Sequence, residues 1–481
     1  MFWRGVIGYL PVNLVQGVVG LLTIVTFTRL LTPEQFGAYA LGFSLMSLAH
    51  TALFTWAEAA MARFWAGEAQ RGAAAHHMAT IYRLWLGALL LLPLIGAVLA
   101  VWPMKADLKV VALAGVVTIL PRTLVKLIQE RRRAAGEVRS AALIDMLQTV
   151  GGFLIGAGLA WFGVGGAAPL LGMAAAAGLC LAFALPGERR HLAGGRFEPE
   201  RARAYAAYGG PVALSLILAL VLATADRFLI AAFLGEAQVG VYHAGYSLAN
   251  RTLDVLFIWL GAAGGPALIM ALERGGPGAL RAAAREQASF MVLVTLPAAV
   301  GLALVARPLS HLMIGPALAD GAAGVTPWIA MSGLLAGVTT YYLNQAFTLA
   351  RRTRRLLVAM AIPAVANLVL NLVLIPRLGL TGALAATLIS YALGAVAAWA
   401  LARGALALPI PWSSLGQAAA GAALMAAAVS RLPALGGLAE LALKAGVGVA
   451  VYAVVVWSLD AGGLRSRGEA ALRTLRARVA A

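Results

Sequence analysis

Long apolar blocks separated by short charged connections run from one end of the chain to the other. Each block is long enough to cross a bilayer core of ~30 Å as a helix. The pattern predicts about fourteen spans, near 4–30, 37–60, 81–103, 108–129, 139–162, 165–186, 208–233, 239–262, 286–308, 326–350, 355–375, 380–403, 412–431 and 440–459. A membrane β-barrel would show short segments of alternating polarity instead. The chain therefore reads as an all-α polytopic membrane protein.

One stretch carries more than its length. From Asn367 to Thr387 an apolar run is interrupted by Asn367 and Asn371, then by Pro376, Gly379 and Gly382, before apolar residues resume. Two membrane helices joined by a tight turn read this way, with the amide pair four apart on one face of the first. The chain also repeats. Residues 31–57 align without gaps to 234–260, pairing Gln35, Gly37, Tyr39, Gly42, Ser44, Phe54 and Trp56 with Gln238, Gly240, Tyr242, Gly245, Ser247, Phe257 and Trp259. The second copy begins after six spans, so both copies enter the membrane in the same sense. That predicts two pseudo-symmetric six-helix lobes, related by an axis along the membrane normal, plus two extra C-terminal helices. The divisions fall at 1–206 and 207–405 for the lobes, 406–460 for the two added helices and 461–481 for a basic tail. In that tail Leu464, Leu472, Leu475 and Val479 share one side at helical spacing, so it reads either as an interfacial helix on anionic lipid or as a positive tail that fixes topology.

Composition agrees. The chain is 62% hydrophobic and 12% charged, against about 25% charged in soluble proteins. The formal charge of +18 would suggest nucleic acid in a soluble protein, but the basic residues sit between spans. Arg131, Arg132, Arg133, Arg189, Arg190, Arg201, Arg351, Arg352, Arg354 and Arg355 fall on one side, and only Arg29, Lys105, Lys109, Arg307, Arg377, Arg431 and Lys444 on the other. Positive charge stays in the cytoplasm, which places both termini inside. Arg4 before a long apolar run reads as a first helix that is retained. A single cysteine, Cys180, excludes an internal disulfide and a Cys-based metal or redox pair.

Four regions resemble the polysaccharide flippases of the multidrug/oligosaccharidyl-lipid/polysaccharide (MOP) superfamily: Thr28 to Tyr39, Ala225 to Tyr242, Leu296 to Pro316, and the Asn367 segment. The resemblance implies a V-shaped pair of bundles around a central cavity, working by alternating access. It implies a bacterial inner-membrane protein that moves a polyprenyl-diphosphate-linked oligosaccharide to the outer leaflet, with a polysaccharide polymerase or glycosyltransferase as partner. The span count and the Asn367 segment look more like Wzx-type flippases than twelve-span drug exporters. The Ser-Arg and Arg-Asp pattern of the lipid II flippase branch is missing from the first two spans, so that branch ranks second.

Such transport makes no bond. It needs a polar path and cations for the diphosphate, and a charge facing hydrocarbon costs at least ~2.5–3.5 kcal/mol. Arg251 lies about twelve residues into span eight, or ~18 Å deep, and His243, Ser247, Arg251 and Asp254 form one stripe at spacings of four, four and three. The stripe reads as an anion site, or as an Arg251–Asp254 pair that neutralises itself. Arg122 and Lys126, in the inner half of span four, either snorkel to the interface or meet the diphosphate. Asn13, Gln16, Asn344, Gln345, Asn367 and Asn371 suit sugar hydroxyls, or equally hydrogen bonds between helices. For a coupling H+ or Na+, Glu58 and His50 lie two turns apart on one face of span two, with Arg63 as an alternative partner of Glu58. Asp226 and Asp145 are further carboxylates at depth. Asp226 and Arg227 point about 100° apart, one toward the cavity and the other into the lobe. His76 and His77 lack acidic or Cys neighbours that would complete a metal site.

No catalytic constellation and no phosphate-cradling Gly-Lys-Ser/Thr loop is present, so the expectation is a transporter with neither cofactor nor encoded ATPase. The competing classes are a multidrug or cation antiporter of the same superfamily, and a membrane polymerase or ligase. The latter would need polar catalytic groups on the outer face, where His311, Asp320 and Glu440 are among the few on offer.

Overall fold

A computed structural model describes residues 2–404, 406–463, 465 and 466, with side chains described for residue 12 and from residue 14 onward. The amphipathic tail and the Asn13 side chain lie outside the described residues. Among those described there is helix, turn and loop but no strand.

Two compact units meet within one helix, at His243 and Ala244. The first holds α1 (Phe2–Leu30), α2 (Pro33–Leu53), α3 (Thr55–Gln70), α4 (Ala74–Leu89), α5 (Leu91–Val101), α6 (Ala106–Ala134), α7 (Val138–Trp161), α8 (Ala168–Leu192) and α9 (Pro199–Leu234), together with the start of α10 (Glu236–Leu304). The second holds the rest of α10, then α11 (Ala306–Met313), α12 (Pro316–Val338), α13 (Gln345–Leu349), α14 (Thr353–Leu378), α15 (Leu380–Arg403), α16 (Trp412–Val429) and α17 (Gly437–Ser458).

Every expected span overlaps a helix. Among the described residues, eleven helical segments are long and apolar enough to cross a membrane. The difference from about fourteen lies in α10, which carries two expected spans in 69 residues, in the 18-residue α16, which falls outside the eleven, and in α1, of which only Leu14–Leu30 enters the count, as a shorter apolar helix. The connection inside α10, read from sequence as a loop, is helical on both sides of Gly276, the one non-helical position (φ 66°). Its Ala, Leu, Glu and Arg content favours helix, and the Gly-Pro step ends the run locally. The long inner loop expected at 187–207 shrinks likewise, because α8 extends to Leu192 and α9 starts at Pro199.

Apolar side chains point outward as well as inward. Phe183 and Val101 are 86% and 83% exposed, which suits a surface solvated by lipid. With lipid as apolar as leucine, close backbone packing has to hold the helices. On α7 and α8, Gly152, Gly156 and Gly172 permit that approach: a Cβ on Gly172 would collide with the Gly156 backbone. The turn expected after Pro376 is made at Gly379, whose φ of 60° suits glycine, and it returns α15 antiparallel to α14.

One ionic cluster pins unit 1. Arg131, 2% exposed, bonds Glu188 on α8 at 2.8 Å and Glu137 at 2.7 Å. Tyr82 on α4 donates to Glu188 at 3.3 Å, and the Trp65 ring lies 5.7 Å from the guanidinium. Four helices thereby share one buried charge. Beside it, Glu137 is held below the ordinary carboxylate range, chiefly by its hydrogen bond from Arg131.

Candidate functional site

Unit 1 gathers an amide from α1 and ionisable groups from α2, α3, α6 and α7. Asp145 on α7 accepts from Gln16 on α1 at 3.3 Å and pairs with Arg133 at 2.8 Å. Arg133 also reaches Glu130 at 2.9 Å, and Glu130 in turn holds Lys126 at 3.2 Å. Lys126 and Gln16 are therefore engaged with protein carboxylates. Arg133 and Glu130 were absent from the candidate site residues read from sequence. Glu130 had a signal in its helical spacing from Lys126 and Arg133, whereas Arg133 lies close before the turn at Gly136 and Asp145 more than two helical turns after it, so spacing does not announce that pair.

His50 and Glu58 meet at 2.8 Å, with Glu58 only 6% exposed. Eight residues of straight helix would separate them by ~12 Å along the axis. The chain shortens that gap by breaking at Phe54 (φ −124°, ψ −30°), where α2 ends and α3 begins. Arg63, the alternative partner, lies over the Phe64 ring instead.

Arg122 is the remaining cation. It is half-buried at the middle of α6, next to Pro121, whose ring removes a helix hydrogen bond and bends the segment. Glu58, Tyr39 and Asp145 all lie within electrostatic reach of it. Among the described residues Arg122 takes part in no ion pair, because Glu58 is engaged by His50 and Asp145 by Arg133. A guanidinium with unspent donors among satisfied carboxylates can receive an external anion through two parallel hydrogen bonds.

The other expected residues are placed differently. Asp226 and Arg227 are both buried, which corrects the split orientation. Asp226 accepts from the Tyr242 hydroxyl and from the Arg227 backbone amide, and Arg227 donates to the Ala223 carbonyl at 3.2 Å. Of the stripe on α10, His243 packs against the Phe36 ring at 5.4 Å and Ser247 is buried. Arg251 and Asp254 are exposed on unit 2, and Asp254 accepts from Asn250 at 2.5 Å. The self-neutralising Arg251–Asp254 pair does not form. Asn367 and Asn371 are 1% and 0% exposed, and the Asn371 amide donates to the Asn367 side-chain oxygen at 3.0 Å. The Asn371 amide also donates to the Asn367 backbone carbonyl at 2.9 Å, while Asn367 Nδ2 and Asn371 Oδ1 have no hydrogen-bond partner among the described residues. Asn344 and Gln345 follow a π-helical turn at Thr339–Leu343, and Gln345 donates to the Tyr341 carbonyl at 2.5 Å. No group of His, Cys, Asp and Glu suited to a metal ion occurs among the described residues.

Comparison with known proteins bears on this arrangement. Residues 26–320 match the model of a family described as polysaccharide biosynthesis protein. No curated protein matches the chain. Among solved structures, the chain is similar to the lipid II flippase MurJ in an inward closed conformation, at a TM-score of 0.74 and 12% identity, covering 93% of this chain and 98% of that one. It is similar to an inward-facing multidrug resistance MATE family transporter of the MOP superfamily, at 0.64 and 16%, covering 81% and 94%. A MOP superfamily transporter from Pyrococcus furiosus matches at 0.55 and 14%, covering 83% and 92%. At these identities the likeness to solved structures is one of fold.

Proposed function

The chain belongs to the polysaccharide biosynthesis protein family, and on that premise we propose that it is a transporter of the MOP superfamily that flips a polyprenyl-diphosphate-linked oligosaccharide from the cytoplasmic to the outer leaflet by alternating access. The observation that carries this reading is Arg122, a cation at mid-span with no carboxylate of its own. A diphosphate is the anion a guanidinium fork fits best. Arg251, exposed in unit 2, is the second cation on the route, and Asp254, Asn344 and Gln345 supply polar groups for sugar hydroxyls. Lys126 and Gln16 act through the carboxylates they hold. Positive charge on the inner connections supports a bacterial inner-membrane protein with both termini in the cytoplasm. A polymerase or glycosyltransferase would take or supply the glycan.

Coupling to H+ or Na+ falls to the His50–Glu58 pair, a carboxylate and an imidazole 2.8 Å apart within electrostatic reach of Arg122. Loss or gain of charge there changes how strongly Arg122 holds an anion. Asp145, already paired with Arg133, sets the field around it.

The test is reconstitution of the purified chain in liposomes with fluorescent polyprenyl-diphosphate glycans, lipid II among them. Translocation without elongation of the glycan is the expected result. Elongation would reveal an enzyme, and movement of organic cations in place of the glycan a drug antiporter. Glu58→Gln should keep basal translocation and lose its response to an imposed ion gradient.

A further inference from the structure

We propose that a cavity within unit 2 holds one acidic glycerophospholipid. The cavity, about 1030 Å³, lies between the two arms of α10 on either side of Gly276. It is as large as the ~300–1,000 Å³ sites that take small molecules. Its walls are amphipathic. Trp259 and Phe290, edge to face at 6.2 Å, form the apolar side with Ala267. Arg281 and Arg285, one helical turn apart and both exposed, form the cationic side. Glu286 also lines it, which leaves a net of one positive charge.

The occupant follows from that chemistry. A phosphodiester carries one negative charge and fits between two guanidinium groups, while an acyl chain runs along the Trp259 and Phe290 face. Inorganic phosphate would leave the apolar wall bare. A zwitterionic lipid would bring an ammonium group toward two arginines. The glycan of a transport substrate would find few polar partners there beyond the charged rim. Pro409 and Gly462 also line the cavity, so the connections flanking α16 and α17, the helices outside the sequence repeat, help to enclose it. The site goes beyond the transport reading and does not depend on it.

Native mass spectrometry of the full chain in detergent tests this, with phosphatidylglycerol, phosphatidylethanolamine of the same acyl chains, inorganic phosphate and polyprenyl diphosphate as probes. Phosphatidylglycerol should bind at least about tenfold more tightly than phosphatidylethanolamine, and Arg281→Ala/Arg285→Ala should erase about that factor, the size expected of two near-surface arginines. Ala267→Phe fills the apolar side with both charges intact and should also weaken binding. Arg274→Ala, on the other arm of α10 and outside the cavity, should leave it unchanged. Equal retention of the two lipids, an unaltered affinity in the double variant, or displacement of phosphatidylglycerol by inorganic phosphate or polyprenyl diphosphate would each overturn the proposal. None of these readings uses translocation, so failure here is separable from failure of the transport function.

Discussion

Gly37 and Gly240 occupy equivalent positions in the two sequence copies, and they pack against each other's helix. A Cβ on Gly37 would overlap the carbonyl of Glu236, and a Cβ on Gly240 would overlap the carbonyl of Pro33. Pro33 aligns with Glu236 in the same register, so the contact is self-complementary, as across a local two-fold axis. The copies pack alike elsewhere too: Gly42 abuts Val111 on α6, and its counterpart Gly245 abuts Val325 on α12.

Backbone-to-backbone approach leaves no room for a side chain. Gly37→Val and Gly240→Val should each lower thermal stability in detergent by ~1–3 kcal/mol, the usual cost of overpacking. Gly87→Val, where a Cβ meets open space, is the control. Melting curves that do not separate the three variants would mean the helices part at little cost.

Arg122 should matter more for transport than for folding. Each charge-assisted hydrogen bond is worth ~1.5–3 kcal/mol, so Arg122→Ala should cut translocation about 10- to 100-fold while expression and melting stay near wild type. Arg122→Lys keeps the charge but loses the fork and should fall between. Arg251→Ala should behave like Arg122→Ala. Wild-type flux in well-expressed Arg122→Ala would remove this residue from the route.

Much of this was legible in the sequence, and the gaps have physical causes. Apolar block length predicts helices because lipid leaves the backbone no other partner. The gapless repeat pairs Gly37 with Gly240, but matching says nothing of contact until the fold of unit 1 brings their helices together. His50 and Glu58 share a face by spacing. The break at Phe54 that closes their separation carries no Pro or Gly to announce it. Spacing also puts Asn367 and Asn371 on one face without revealing whether that face meets a cavity or the core. Asp145 finds Arg133 although the two lie at unequal distances from the turn at Gly136, so no spacing rule announces the pair.

The Arg131 cluster yields a stability prediction with a sign. Arg131→Met leaves Glu188 fully buried without its cation, and removing one partner of a buried pair costs ~3–5 kcal/mol. Glu137 is different, because its side chain is 43% exposed and its pairing is worth at most ~1 kcal/mol. Its folded-state pKa is depressed, so its contribution is present above the unfolded value of about 4.3. It is lost as pH falls through the lower folded value. Glu137→Gln should therefore melt slightly below wild type at pH 7 and converge with it near pH 3. A gap that widens on acidification would contradict the assignment.

The last prediction concerns Lys105, in the connection between α5 and α6, which bonds Glu236 at the start of α10. That bond raises the lysine's pKa, so the pair is fully charged at neutral pH. It lies on the side opposite the arginine-rich connections, which is the outer face in the orientation proposed above. Alternating access requires the outer ends of the two sequence copies to separate once per cycle, and Glu236 opens the second copy's first matched helix. Lys105→Cys/Glu236→Cys, with Cys180→Ala to remove the single native thiol, should lose translocation when bridged by a short reductant-cleavable cross-linker and regain it on cleavage. The uncrosslinked double variant should work nearly as well as wild type, because a pair whose lysine is largely exposed contributes little to stability. Full flux through the bridged protein would mean that Lys105 and Glu236 travel together throughout the cycle, and the moving boundary would then have to be sought elsewhere than between α2 and α10.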